Sequence, residues 1–383
     1  MRYVIGRPKR AIRRPGSRWL AAVCWTAFGI GIVMSISVLL ATSAYRSAES
    51  SSAGSDRFQG ESSGVTSSNK ASADGFGQAP LPSPSGKPNS AASSKETYIT
   101  VYLTKEQRTE RVTLETYVRG VVAGEMPADF GLEALKAQAI AARTYIVRRI
   151  ELDDHSGMPA TGAASRADVT DTIDHQIYIS IDKLKELWPK GEQESRMAKL
   201  NKAVSETRGE VITYEGEPIQ AVFFSTSNGY TENSEQYFQE ELPYLRSVAS
   251  PWDKQLSPRY QETVKLQLSD FNARLGLASK KKPVIRVLDK TEGNRIADIL
   301  IDGKTYTGRE VREKLGLASS EFTWKLDGDE IDITTFGYGH GVGMSQWGAN
   351  GMAEEGKSAE QIVTYYYTGT KVEQASKLAA KFR

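Results

Sequence analysis

The chain has 383 residues, 25% of them charged, with a formal net charge of +2 and a single cysteine. Seven of the positive charges fall in residues 1–18 without one acid, so the remainder carries a net −5, which excludes an electrostatic footprint for nucleic acid. The one cysteine, Cys24, lies in an apolar stretch, so the chain beyond that stretch has no disulfide, no thiolate metal site and no cysteine nucleophile, and must be held by its core alone.

Residues 19–40 contain no charged side chain, about the ~20 residues a bilayer span requires. Arg2, Arg7, Lys9, Arg10, Arg13, Arg14 and Arg18 precede them, and the positive-inside rule places this flank in the cytoplasm. A cleaved signal peptide is the rival reading, because Ala41-Thr42-Ser43-Ala44 resembles a cleavage site. The apolar run, however, exceeds the ~7–15 residues of a signal core. The expectation is a basic cytoplasmic tail over 1–18, a transmembrane anchor over 19–41, a disordered linker over 42–96 and a folded domain over 97–375. The protein then sits in the cell membrane with a single pass and its C-terminal domain outside. Within the linker, 47–95 is rich in Ser, Gly, Ala and Pro and cannot bury enough apolar surface to order itself. As a flexible coil of about fifty residues it reaches ~35–42 Å.

Tyr98–Leu103 alternates like a strand. Leu114, Val118, Val121 and Val122 recur with helical period after Thr113, and Pro127 stops that helix with Glu125 in its last turn. A second helix spans 132–152, with Leu135, Ala139, Ala142, Ile146 and Ile150 on one stripe and alanines that allow close packing. Helices follow over 182–188 and 195–207. Strands at 210–214 and 219–224 flank a Glu215-Gly216-Glu217-Pro218 turn. Short strands and helices, including 268–275 and 307–315, fill 258–317, where no chemical motif stands out. A strand over 330–335 feeds a glycine-rich loop, and helices over 344–355 and 358–367 close the domain. The expected fold class is α+β: a mixed two-lobed globular body with a central cleft. Its motifs are spread over some 220 residues, so tertiary folding must assemble any site.

Three constellations carry chemistry. Glu125 stands among valines and Met126. Shortage of water there disfavours its charged form and raises its pKa, as protonation of a leaving glycosidic oxygen requires. Arg143 lies on the following helix. Ser225-Thr226-Ser227-Asn228-Gly229-Tyr230 opens directly from a strand end, and the Ser225, Ser227 and Asn228 side chains suit hydrogen bonding to sugar hydroxyl and acetamido groups. In Phe336-Gly337-Tyr338-Gly339-His340-Gly341-Val342-Gly343-Met344-Ser345-Gln346-Trp347-Gly348 the glycines let backbone approach a ligand closely. His340, Ser345 and Gln346 supply polar contacts there, and Tyr338 or Trp347 a stacking face. A phosphate cradle is a weaker reading, since no Lys-Ser or Lys-Thr pair follows. A serine hydrolase built on Ser225 or Ser227 with His340 lacks a nucleophile elbow. His155, His175 and His340 are scattered, so no metal or other cofactor is expected.

Gly124-Glu125-Met126-Pro127, the run from Ala137 to Tyr145, Ser225-Thr226-Ser227-Asn228-Gly229 and the run from Gly339 to Ala349 together resemble the stage II sporulation protein D family, over about 98–372 and in the family's order. The resemblance implies a membrane-anchored lytic transglycosylase that cuts peptidoglycan strands during engulfment, preferring strands already stripped of stem peptides. It implies a place in the mother-cell membrane facing the septal wall, and stage II sporulation proteins P and M as partners. The family's catalytic glutamate falls on Glu125; Arg143, Ser225, Ser227, Asn228, His340, Ser345 and Gln346 are cleft candidates. Some relatives carry a Cys/His zinc site near 168–178, where this chain has no cysteine. A related branch consists of amidase enhancers, so a wall-binding module without catalysis is the alternative.

Overall fold

Residues 96–278 and 282–378 are described by the computed structural model. The expected tail and anchor, and all of the linker but Glu96, lie outside the described residues. Among the described residues no helix is long and apolar enough to cross a membrane. The architecture is mixed α+β.

Chain order begins with β1 (Tyr98–Leu103), β2 (Arg108–Thr113), α1 (Leu114–Glu125) and α2 (Leu132–Glu151). After β3 (Val169–Thr170) come α3 (Ile181–Leu187), α4 (Gln193–Glu206), β4 (Glu210–Tyr214), β5 (Glu217–Pro218) and β6 (Phe223–Phe224). Two short helices, α5 (Glu235–Phe238) and α6 (Asp253–Leu256), lead into β7 (Gln261–Gln267), α7 (Leu268–Leu275), β8 (Ile285–Lys290), β9 (Ile296–Ile301), β10 (Lys304–Thr307), α8 (Gly308–Leu315), β11 (Phe322–Asp327) and β12 (Glu330–Phe336). The chain closes with β13 (Met344–Ser345), α9 (Gln346–Glu354), α10 (Ala359–Tyr366), β14 (Lys371–Gln374) and α11 (Ala375–Leu378).

Two hydrophobic cores organise these elements. The larger one surrounds α2, which packs against α1, α4, α9, α10 and β4. Ala134, Ala137, Ala139, Ala141 and Ala142 are buried on several sides of α2, because a methyl group lets neighbouring backbones approach from each of them. The expected apolar stripe holds through Ile146 and fails at Ile150, which is 41% exposed where the helix leaves the core. The smaller core belongs to residues 264–333. There β12 pairs with β11 and β7, β9 pairs with β8 and β10, and α7 and α8 lay their apolar faces inside. Thr307 and Glu310 form a capping box at the start of α8.

Local chemistry sets the boundaries that matter for the site. Thr113 caps α1 by accepting the Thr116 N–H. Met126, held extended because it precedes Pro127, ends the helix at Glu125. The apolar run 219–224 was expected to be one strand, yet only Phe223–Phe224 pairs. The Ile219 N–H is taken by the Ile212 carbonyl at 3.1 Å and the Val222 N–H folds back onto Gln220 at 2.9 Å. The preceding turn is tighter than expected, two residues with φ of 53° at Glu215 and 84° at Gly216. Helix α9 starts two residues later than expected, because Met344–Ser345 pairs in parallel with Phe223–Phe224 and Ser345 caps the helix through the Gly348 N–H. Sequence periodicity missed β2, whose Arg-Thr-Glu-Arg-Val-Thr has no apolar alternation and is a strand because all six residues pair with β1.

Candidate active site

Glu125 ends α1 with its side chain partly accessible and its carboxyl enclosed. The Ile177 N–H donates to Oε1 at 2.8 Å and the Gln346 amide donates to Oε2 at 3.3 Å. Both donors are neutral, so neither offsets burial as a cation would. Burial pushes the pKa from 4.5 up to about 7, with the Ile177 and then the Gln346 hydrogen bond pulling the other way.

Two glycines bring Ile177 to the acid. Gly120 and Gly124 lie four apart on α1, on the face covered by residues 177–179. A Cβ at Gly124 would stand 2.7 Å from the Ile177 carbonyl oxygen, and one at Gly120 would enter the Tyr178 ring. The Ile179 N–H donates to the Gly120 carbonyl at 3.2 Å. Tyr178 stacks on Tyr117 with centroids 5.6 Å apart, and the Tyr117 hydroxyl donates to Gln176 Oε1 at 3.1 Å. His175 anchors the start of the segment: its Nδ1 accepts the Thr170 N–H at 3.3 Å and its Nε2 meets the Ser156 carbonyl at 3.2 Å. With both ring nitrogens of His175 engaged and no cysteine in their own sequence, residues 168–178 do not fit a zinc site of the Cys/His kind.

Gln346 is the first residue of α9, and the parallel pairing of Met344–Ser345 with Phe223–Phe224 sets it beside the loop that starts at Ser225. The Trp347 N–H donates to the Ser225 carbonyl at 3.1 Å. Trp347 meets Phe130 edge to face, centroids 4.7 Å apart, just beyond the acid's own turn. The Gly131 N–H donates to Asn350 Oδ1 at 2.8 Å, tying the loop after Glu125 to α9. Three segments far apart in sequence thus meet at Glu125: the end of α1, the 175–179 strap and the start of α9. Ser225 adjoins them.

The other expected contact residues are placed differently. Arg143 is fully buried and forks onto Glu115, Nε to Oε1 at 3.1 Å and NH2 to Oε2 at 2.7 Å, with NH1 on the Glu210 carbonyl at 3.1 Å. Glu115 sits in the first turn of α1, ten residues or roughly 15 Å of helix from Glu125, so the arginine pins the wrong end of that helix to touch a substrate there. Ser227 is buried in its own turn, accepting the Gly229 N–H at 2.9 Å and donating to the Tyr230 carbonyl at 3.1 Å. Asn228 is buried with its amide on the Gly293 carbonyl at 2.9 Å and on Glu321, both in the part of the chain that feeds the smaller core. Ser345 is buried as the cap of α9. Tyr338 pairs its backbone with Thr226 and holds the Arg259 guanidinium over its ring at 3.6 Å. His340 Nδ1 accepts the Val342 N–H at 3.1 Å, which makes Nε2 the donor to the Phe223 carbonyl at 3.0 Å. Burial, then the Arg312 and Arg295 charges, lower its pKa to about 3. A neutral imidazole with both nitrogens engaged cannot activate Ser225 or Ser227, and the serine-hydrolase arrangement is not formed.

The cavity between the two cores, about 290 Å³, is lined by His340, Tyr237, Glu232, Arg295 and Arg309 among others, and not by Glu125. Glu125 stands between Val122 and Met126, both of the larger core. Sequence reasoning missed Ile177, whose backbone N–H has no sequence signal beyond the Gly120 and Gly124 spacing. It also missed Asp253, which nothing in Pro251-Trp252-Asp253 singles out.

The candidate site is one enclosed carboxyl of raised pKa, met by an amide and a peptide N–H, on a mixed α+β scaffold. The SpoIID family profile, described as "Stage II sporulation protein", matches residues 102–214, which include Glu125 and the strap. The chain is 47% identical over 285 residues to Stage II sporulation protein D of Bacillus subtilis (strain 168), covering 74% of this chain and 81% of that protein. It is 46% identical over 285 residues to Stage II sporulation protein D of Bacillus amyloliquefaciens, with the same coverage. The Amidase enhancer of Bacillus subtilis (strain 168) is 29% identical over 307 residues, 66% of this chain and 40% of that protein. The chain belongs to the stage II sporulation protein D family.

Proposed function

We propose that the protein is a lytic transglycosylase that cleaves the bond between N-acetylmuramic acid and N-acetylglucosamine in peptidoglycan during sporulation. The observation that carries this reading is the enclosed Glu125 carboxyl, met among the described residues by two neutral donors, the Ile177 N–H and the Gln346 amide, with burial raising its pKa to about 7. Protonated Glu125 gives its proton to the bridging oxygen as the C1–O bond breaks. The oxocarbenium-like centre forms on the muramic acid. Anionic Glu125 then takes the proton of that sugar's 6-hydroxyl, and the oxygen closes on C1 to leave a 1,6-anhydro end. No water is consumed, and one carboxyl performs both proton transfers. The Ile177 N–H and the Gln346 amide stabilise the anionic half of this cycle.

The surroundings support a single acid. Asp129 is exposed, and Glu133 is engaged by Lys136 at 2.7 Å and by the Ala359 N–H at 2.8 Å. Trp347, beside Gln346, offers a ring for a sugar face. The substrate proposed is glycan stripped of stem peptides, with stage II sporulation proteins P and M as partners. The charge-free stretch 19–40 behind its basic flank supports a membrane anchor with the C-terminal domain outside, and the family resemblance adds the mother-cell membrane facing the septal wall. The similarity to a protein named Amidase enhancer favours one second reading, a non-catalytic peptidoglycan-binding enhancer of an amidase.

Digestion of peptide-free strands separates the two. Transglycosylation yields new anhydro ends that disappear with Glu125→Gln. An enhancer retains glycan without creating ends, and its binding is indifferent to that substitution.

A further inference from the structure

Asp253, the first residue of α6, is completely buried, yet its carboxylate serves neither an ion pair among the described residues nor the proton transfers proposed for Glu125. Its Oδ1 accepts the Ser227 N–H at 2.7 Å and the Ser345 hydroxyl. Its Oδ2 accepts the Ser250 hydroxyl at 2.8 Å, and Ser250 meets the Tyr366 hydroxyl at 2.8 Å. The loop at 225–229, the glycine-rich loop at 337–345 and α10 are thereby joined on one carboxylate. The first turn of α9 lies directly against this junction. Gly348 leaves no room for a Cβ, which would collide with Tyr366, Ser250 and Asp253. Ser345 is both the link to Asp253 and the cap that starts α9, and the next residue, Gln346, places its amide on Glu125.

We infer that Asp253 is a positioning residue for Glu125: by holding Ser345 and the first turn of α9, it keeps the Gln346 amide on the acid's Oε2. This rests on Glu125 being the acid. The geometry explains why a buried acid is kept at all. Burial raises its pKa to about 6, with the Ser345, Ser227 and Ser250 hydrogen bonds opposing the rise. An apolar residue would leave the buried Ser227 N–H without its acceptor and break the links to Ser345 and Ser250. Burial foremost, with the carboxylate charge adding to it, raises the facing phenols, Tyr366 and Tyr260 beside Asp253 and Tyr117 beside Glu125, so these three are neutral in the working range.

The test reads Glu125 itself. Its titration midpoint is followed by ¹³C NMR of glutamate-labelled protein, with Glu125→Gln as the assignment control, in wild type, Gln346→Ala, Asp253→Asn, Ser345→Ala and the Asp253→Asn/Gln346→Ala pair. Asp253→Asn should fold, because Asn keeps an acceptor for Ser227 and Ser250 can reverse to accept from the new amide while donating to Tyr366; its neutral oxygen, however, holds the Ser345 hydroxyl more weakly than the carboxylate does. Loss of the Gln346 donor raises the midpoint. The expected result is a rise in Asp253→Asn and Ser345→Ala in the same direction as in Gln346→Ala, with no further rise in the double variant. A wild-type midpoint in Asp253→Asn and Ser345→Ala, while Gln346→Ala shifts, overturns the inference. An additive shift in the double variant does so equally. Parallel digestion of peptide-free strands distinguishes the two levels: if wild type makes no anhydro ends the proposed reaction fails, while the titration still decides the role of Asp253.

Discussion

Glu125 and His340 both stood out in the sequence as polar residues in apolar or glycine-rich company, and the structure separates them. Glu125 keeps a carboxyl oxygen with only a 3.3 Å donor on it and a partly open side chain. Around His340 most polar groups are paired with one another, although Arg295 Nε has no partner among the described residues and the group borders the cavity of about 290 Å³. The His340 ring is fixed at both nitrogens among Phe224, Tyr237 and Phe238. Beside it Arg295 and Glu232 form a buried pair at 2.9 Å, with side chains 2% and 3% exposed, and Thr291 adds a hydroxyl to the same carboxylate at 2.7 Å. One glycine-rich loop serves both regions: its end delivers the Gln346 donor to the enclosed Glu125 carboxyl, while its middle, at His340, lies between the two cores. A polar motif marks a place where backbone comes close; the valence left over decides whether chemistry happens there.

Breaking the His340 region should have the largest effect on stability. Arg295→Ala leaves Glu232 buried without its cation and is expected to cost about 3–5 kcal/mol, measured by denaturant unfolding. A loss under 1 kcal/mol means that the two regions do not differ as described. The Glu125 region should respond in the other sense. Its acid is raised from 4.5 to about 7 by folding, so the folded state is penalised progressively as pH rises through that window. Glu125→Gln removes the penalty and should be more stable than wild type by about 2–3 kcal/mol at pH 8, the difference vanishing below pH 4.5. Equal stability at pH 8 contradicts the raised pKa. Gly124→Ala tests the strap: the methyl pushes on the Ile177 carbonyl, costing roughly 1–3 kcal/mol despite better helix propensity. Loss of the Ile177 donor should also raise the Glu125 midpoint. An unchanged midpoint by NMR removes Ile177 from the account. The remaining test concerns His340, held neutral to about pH 3. Its unfolded form takes up a proton below about 6.5, so wild-type stability falls on acidification through that range. His340→Gln, which keeps a donor for Phe223, should lose less between pH 6 and 4, and a parallel decline in both proteins refutes the neutral assignment.

Helix boundaries were legible where a single residue decides them. Pro127 closes α1 on Glu125, and Leu268–Leu275 lies where its periodicity places it. The enclosed carboxyl of Glu125 was legible because a glutamate followed by Met-Pro after a valine run has few solvated options. Arg143 was misplaced, since adjacent helices bring some pair of turns together and the sequence does not say which; here it is the first turn of α1. Asp253 was invisible because its importance comes from three segments that only folding unites. Strands of two residues, such as Phe223–Phe224 and Met344–Ser345, carry no periodicity, yet their pairing is what sets Gln346 beside Glu125.

The most direct measurement is mass spectrometry of the chain ends released from peptide-free glycan strands by wild type and Glu125→Gln at equal concentration. The account predicts 1,6-anhydro-muramic ends from wild type and at least ~10²-fold fewer from the variant. Reducing ends from wild type, or anhydro ends released at the same rate by the variant, contradict it.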